Sequence, residues 1–122
     1  MPCGLPFGIL PDMEAQHCIV LCTCPDQASA DHIAQTLVTE QLAACVNIID
    51  GVKSVYLWQG EMESSHELQL IIKTHSRCYG ALEQRLRALH PYELPEIIAV
   101  PIEAGLPEYL AWLDETTRTT SD

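Results

Sequence analysis

Apolar positions along this chain change their spacing several times, and each change marks an element. Residues 18–24, CIVLCTC, form a continuous apolar run closed by Pro25, which predicts a buried strand. In the following PDQASADHIAQTLVTEQLAA, the residues Ala30, Ile33, Ala34, Leu37, Val38, Gln41 and Leu42 recur at i, i+3, i+4 and i+7. That spacing predicts an amphipathic helix, and Asp26 stands where a side chain caps or charges its start. Residues 45–59 hold two β-branched stretches on either side of Asp50-Gly51. One long strand with a bulge at Gly51 fits this pattern, and so do two strands joined by a tight turn. Gln59-Gly60-Glu61 reads as a hairpin turn. Residues 66–75 then alternate. Leu68, Leu70, Ile72 and Thr74 fall on one face, and Glu67, Gln69, Ile71 and Lys73 on the other, as in a strand with one face buried.

Ser76 is placed to cap a second helix, along which Tyr79, Leu82, Leu86 and Leu89 form a stripe. That helix must stop before Pro91, because the residue preceding a proline avoids the α region. IIAVPI is a further short strand, and Pro101 within it points to an edge position. Pro107 opens a last short helix with Leu106, Leu110 and Leu113 facing inward. The order β-α-β-β-α-β-α corresponds to an α+β, ferredoxin-like split β-α-β sandwich with a C-terminal helix. Its strand order is 4-1-3-2, with both main helices on one face. This topology brings Cys22 and Cys24, at the end of the first strand, near His90 and Pro91, at the end of the second helix. The hairpin tip at 59–61 lies at the same end. Residues 1–16 show no periodicity and read as a mobile arm, 17–115 as one domain, and 116–122 as a frayed polar tail.

Composition narrows the function. At 122 residues with 48% hydrophobic and 19% charged residues, the chain has the makeup of one globular domain. No apolar run approaches the length of a membrane span. The 17 acidic residues against 6 Lys and Arg give a net charge of −11. Nucleic acid and anionic membrane surfaces need clustered cations, so both are poor partners. A negative field instead favours cations, metal ions included. The six cysteines lie at 3, 18, 22, 24, 45 and 78. The N-terminal segment lacks the charge and the uninterrupted apolar stretch of a secretory signal. The cysteines therefore read as free thiols of a reducing cytoplasm. No phosphate loop, dinucleotide-binding glycine motif or nucleophile elbow occurs, so nothing points to an enzyme.

Three segments carry a family likeness: VLCTCPD, LAACVNIIDGVKSVYLWQGEMESSHELQLIIKT and LHPYELPEIIAVPIEAGLPEYLAWL. Over about residues 18–114 the chain closely resembles the CutA family of divalent-cation tolerance proteins. The resemblance implies a ferredoxin-like subunit, a tight homotrimer like that of the PII signalling proteins, a cytoplasmic location, and copper binding linked to metal tolerance. It also implies a ligand set. The cysteine of the first strand corresponds to Cys22. Of two adjacent histidines before Pro-Tyr, the second corresponds to His90 and the first falls on Leu89, which cannot ligate.

The residues themselves allow two readings of that set. Thiolate and imidazole suit copper and zinc, and strand alternation lets Cys24 share an ion with Cys22. A cysteine in a buried strand is also an ordinary small hydrophobe. His17, His32, His66 and His75 fall on positions expected to be exposed, with no helical i, i+4 pair, and read as solvated. Glu61, Glu63 and Glu67 read as a solubilising charged hairpin. In a trimer of the implied kind, Trp58, Glu61, Lys73, Tyr92 and Glu96 are small-ligand contacts in an intersubunit cleft, by analogy with PII proteins.

Overall fold

The structure is a computed structural model, and it describes residues 15–118. Its elements are β1 (His17–Cys24), α1 (Gln27–Thr39), β2 (Cys45–Trp58), β3 (Glu61–His75), α2 (Tyr79–Leu89), β4 (Ile98–Pro101) and α3 (Pro107–Thr116). The four strands form one sheet in the order β2-β3-β1-β4, every pair antiparallel. This is the expected ferredoxin-like arrangement. Most of the proposed arm and the end of the tail lie outside the described residues.

Alternation along β1 builds the core. Cys18, Val20, Cys22 and Cys24 are fully buried and pack with Leu68, Leu70 and Ile72 of β3 against Ile33, Leu37, Leu82 and Leu86 of the two main helices. Each such aliphatic side chain contributes about 1.5–3 kcal/mol by leaving water. Asp26 caps α1 as expected, its Oδ1 accepting from the Ser29 amide at 2.8 Å.

The 45–59 region resolves as one strand. The β2–β3 register slips between Ile49 and Val52, and Gly51 sits at φ 79°, so a bulge absorbs the Asp50-Gly51 pair. At the tip, Gln59 and Gly60 both take positive φ, 53° and 83°, the geometry of a tight two-residue hairpin turn.

Several expectations need correction. The first helix does not run to Leu42. Gln41 turns left-handed at φ 63°, and the amides of Leu42 and Ala43 fold back onto the Leu37 carbonyl. Ser76 does not cap α2. A single 3-10 turn, Ser76–Cys78, precedes that helix, and the His75 ring caps the turn by accepting from the Arg77 amide. The Ser76 hydroxyl instead donates to the Ala15 carbonyl at 2.7 Å. Leu106, the residue before α3, is 67% exposed, and of the two leucines within α3 only Leu113 is fully buried. Ordered contacts continue beyond residue 115. Thr117 is fully buried, and the Arg118 amide donates to the Gln41 carbonyl at 2.8 Å.

Candidate metal centre and the cleft beside it

Cys22 and Cys24 leave β1 on the core side, and His90 follows the last turn of α2. The topology brings these three together as expected. All three are buried, and one ligand atom from each lies within 4.8 Å of the others. Cys24 Sγ is 4.0 Å from His90 Nε2.

The His90 ring is fixed by the backbone. Its Nδ1 accepts from the Tyr92 amide at 3.1 Å, and its Nε2 faces the Thr23 carbonyl at 2.7 Å. An amide only donates and a carbonyl only accepts, so the neutral ring carries its proton on Nε2. The Cys22 thiol has two acceptors in reach, the Thr23 carbonyl at 3.7 Å and the Cys24 sulfur. A thiolate is the stronger acceptor. Hydrogen bonding from Cys22 pulls the Cys24 thiol below its ordinary value, against the opposing push of burial. Cys22 moves the other way, raised first by that same hydrogen bond and then by burial. Cys24 is therefore the sulfur that gives up its proton first, and the thiolate is the form that binds metal. Glu67 and Glu96 act on the Cys22 thiol through space and add negative potential around the pair.

The donor set fits copper in kind and spacing. Two sulfurs and an imidazole are soft-to-borderline ligands suited to Cu(I). His90 joins only by giving up its bond to the Thr23 carbonyl, so the two sulfurs are the primary pair. Leu89, which precedes His90, packs against the core.

The opposite face of the sheet carries a cleft of about 980 Å³. Thr23, between the two cysteines in sequence, opens onto it, together with Tyr56, Trp58, Glu63, Glu67, Tyr92 and Glu96 among others. Glu67 is buried, and the Tyr92 hydroxyl donates to its Oε2 at 2.6 Å. Burial and then this hydrogen bond raise the Tyr92 pKa. The Tyr92 and His90 rings lie 4.8 Å apart between centroids, so the loop at residues 90–92, after α2, links the sulfur cluster to the cleft.

Of the expected cleft residues, Trp58, Tyr92 and Glu96 line this cavity. Glu61 pairs with Trp58 at the exposed hairpin tip, outside the lining. Lys73 lies far down β3, opposite Ile19 and Cys45, at the other end of the sheet. Sequence reasoning undervalued Glu63 and Glu67, whose i, i+4 spacing along β3 sets them on one face, with Glu63 opposite Tyr56 of β2.

The reading of His17 and His75 as solvated is overturned. His17 is buried, His75 is half-buried, and antiparallel register sets them opposite each other. Both approach Asp114 of α3. His32 and His66 are exposed, as expected.

Comparison with known proteins bears on the fold and the family. Residues 18–116 match the family model of the CutA1 divalent ion tolerance protein. The divalent-cation tolerance protein CutA of Thermus thermophilus is 50% identical over 99 residues, covering 81% of this chain and 96% of its own length. The crystal structure of CutA from Xylella fastidiosa superposes with a TM-score of 0.83 at 47% identity, covering 85% of this chain and 100% of that one. The structure of the periplasmic divalent cation tolerance protein CutA from Archaeoglobus fulgidus gives a TM-score of 0.80 at 41% identity, with 82% and 97% covered. With nearly the whole described fold and the segments around both cysteines and His90 inside the match, this chain belongs to the CutA1 divalent ion tolerance family.

Proposed function

We propose that this protein is a cytoplasmic, homotrimeric, non-enzymatic metal-tolerance protein that binds copper as Cu(I) at Cys22 and Cys24, with His90 beside them. The observation that carries this reading is the buried convergence of two sulfurs and one imidazole within 4.8 Å. The hydrogen bond that makes Cys24 the more acidic thiol supports it. The two sulfurs would supply the affinity for a soft ion such as Cu(I). The chain's own groups hold the sulfurs on one strand face and keep bulk water away.

Support for the trimer comes from the sheet margin. β2 is a 14-residue edge strand paired on one side only. Its distal half and the hairpin tip expose Val55, Leu57, Trp58 and Met62, each at 51–70%. A long apolar edge of this kind is normally covered, and cyclic closure of three subunits covers it without further growth. The free cysteines at 18, 22, 24, 45 and 78 suit a reducing compartment.

Native mass spectrometry of the reduced protein, with one equivalent of Cu(I) per chain, tests the reading. The expected result is three chains carrying up to three coppers, with the metal lost in Cys24→Ala. A trimer that stays metal-free refutes the copper assignment, and a monomer refutes the assembly. A second reading, small-molecule signalling, is favoured by the cleft, where Tyr56, Trp58 and Tyr92 share the lining with Glu67, whose carboxylate accepts from the Tyr92 hydroxyl. Under it, a metabolite screen yields a ligand that Trp58→Ala abolishes while Cys24→Ala leaves it bound.

A further inference from the structure

At the end of the sheet away from the sulfur pair, β1 starts where β3 finishes. His17 and His75 are register partners there, and their rings meet edge to face with centroids 5.2 Å apart. α3 lays Asp114 across both. Its Oδ1 is 2.8 Å from His17 Nε2 and 3.7 Å from His75 Nε2. One ligand atom from each of the three residues lies within 4.8 Å of the others.

We propose that His17, His75 and Asp114 form a second metal site, taking a borderline divalent ion such as zinc and fastening α3 to the sheet. Two imidazoles and a carboxylate are a zinc-type donor set, and the absence of sulfur from it disfavours Cu(I). The histidine side chains are 10% and 17% exposed, while Asp114 is 44% exposed. The rings are thus held by the protein, and the carboxylate side is open to an arriving ion and to water as a fourth ligand.

The site stands on rigid elements. Two ligands are on paired strands, and the third is on a helix whose end is pinned. Arg77 Nη2 donates to the carbonyls of Asp114 at 3.2 Å and Thr117 at 2.7 Å.

Binding has an identifiable cost. His75 Nδ1 accepts from the Arg77 amide at 3.0 Å, so its neutral ring carries the proton on Nε2. Coordination through Nε2 moves that proton to Nδ1 and gives up the Arg77 amide bond. Ligating histidines ordinarily donate from the other nitrogen to an acceptor. This site lacks such an acceptor on His75 and faces the Arg77 charge, so it binds more weakly than a dedicated structural zinc centre. No residue is shared with the sulfur pair, and the proposal does not rest on the copper reading.

The test is a Zn²⁺ titration of the full chain carrying Cys22→Ala and Cys24→Ala, followed by ¹⁵N imidazole NMR and thermal unfolding. The expected result is one zinc per chain and movement of the His17 and His75 Nε2 resonances to metal-bound positions. His32 and His66 stay unmoved, and Tm rises with zinc concentration. Asp114→Asn weakens binding roughly tenfold or more. The proposal is overturned if the His17 and His75 resonances do not respond to excess zinc, or if Asp114→Asn binds zinc as tightly as the parent. The resonance measurement needs no change to the cluster, so it decides even if the Asp114 variant folds poorly.

Discussion

The two ends of β1 carry clusters with the same number of donors and opposite character. At the Cys24 end, two sulfurs and one imidazole are buried on the helix side of the sheet. At the His17 end, two imidazoles meet a carboxylate that is 44% exposed. Both clusters use the same local device. A histidine accepts the backbone amide two residues ahead through Nδ1, His75 from Arg77 and His90 from Tyr92, and so points Nε2–H into the cluster. The rings are therefore held alike, and the difference lies in their companions. At the buried end the Cys22 thiol hydrogen-bonds to Cys24 and lowers its pKa against the opposing push of burial. At the open end the Asp114 carboxylate faces solvent on one side and the His17 ring on the other. Soft ions belong to the first environment and borderline ions to the second.

The largest effect that can break this contrast is loss of copper. Replacing Cys22 and Cys24 together by Ala is expected to lower Cu(I) affinity by roughly a hundredfold or more, read by competition with a Cu(I) chelator. Zinc binding at His17 should remain. Loss of both metals together would show that the ends are not independent.

Next is His90→Ala. The ring gives two backbone hydrogen bonds, to the Thr23 carbonyl and from the Tyr92 amide. Each buried partner left unsatisfied costs about 1–3 kcal/mol, measurable in urea unfolding. Copper affinity should fall less than in Cys24→Ala, because the sulfurs are the primary pair. An equal or larger fall would make the imidazole the principal ligand.

Tyr92→Phe removes a single partner, from buried Glu67. The expected loss is about 1–3 kcal/mol, with copper binding retained, since the change lies on the cleft face.

The smallest effect is on pH dependence. Above the ordinary histidine value of 6.5, His75 is neutral both folded and unfolded and contributes nothing to the slope. As pH falls below 6.5, the unfolded chain takes up the proton first, because the folded pKa is depressed. Stability is therefore lost across that window and levels off below the folded value. His75→Gln should flatten this part of the stability curve, and an unchanged curve would place the titration elsewhere.

Much of this arrangement is legible in the residues. The apolar run of β1, the 3.6-residue stripes of the helices and the turn residues at the hairpin tip lead to the ferredoxin-like order. That order already brings Cys22 and Cys24 to His90. Features that depend on register or docking were not legible. His17 and His75 look isolated because each sits at the outer end of its own strand. Only the antiparallel register pairs them, and only the seat of α3 adds Asp114. Lys73 shows the complementary limit. Alternation assigns its face of the strand, and the register puts it beside the start of β1, so a place in a cleft between subunits depends on assembly and not on this chain's own fold. Ser76 resembles a helix cap in sequence, yet the His75 ring caps the intervening turn instead.

If the two clusters sort ions by ligand type, each metal has its own donor shell. X-ray absorption of the full-length reduced protein, loaded under argon with one equivalent each of Cu(I) and Zn²⁺ per chain, reads both shells at once. The expected result is a sulfur shell at the copper edge and a nitrogen and oxygen shell without sulfur at the zinc edge. Zinc surrounded by sulfur, or copper without it, would overturn the sorting of ions between the two ends of β1.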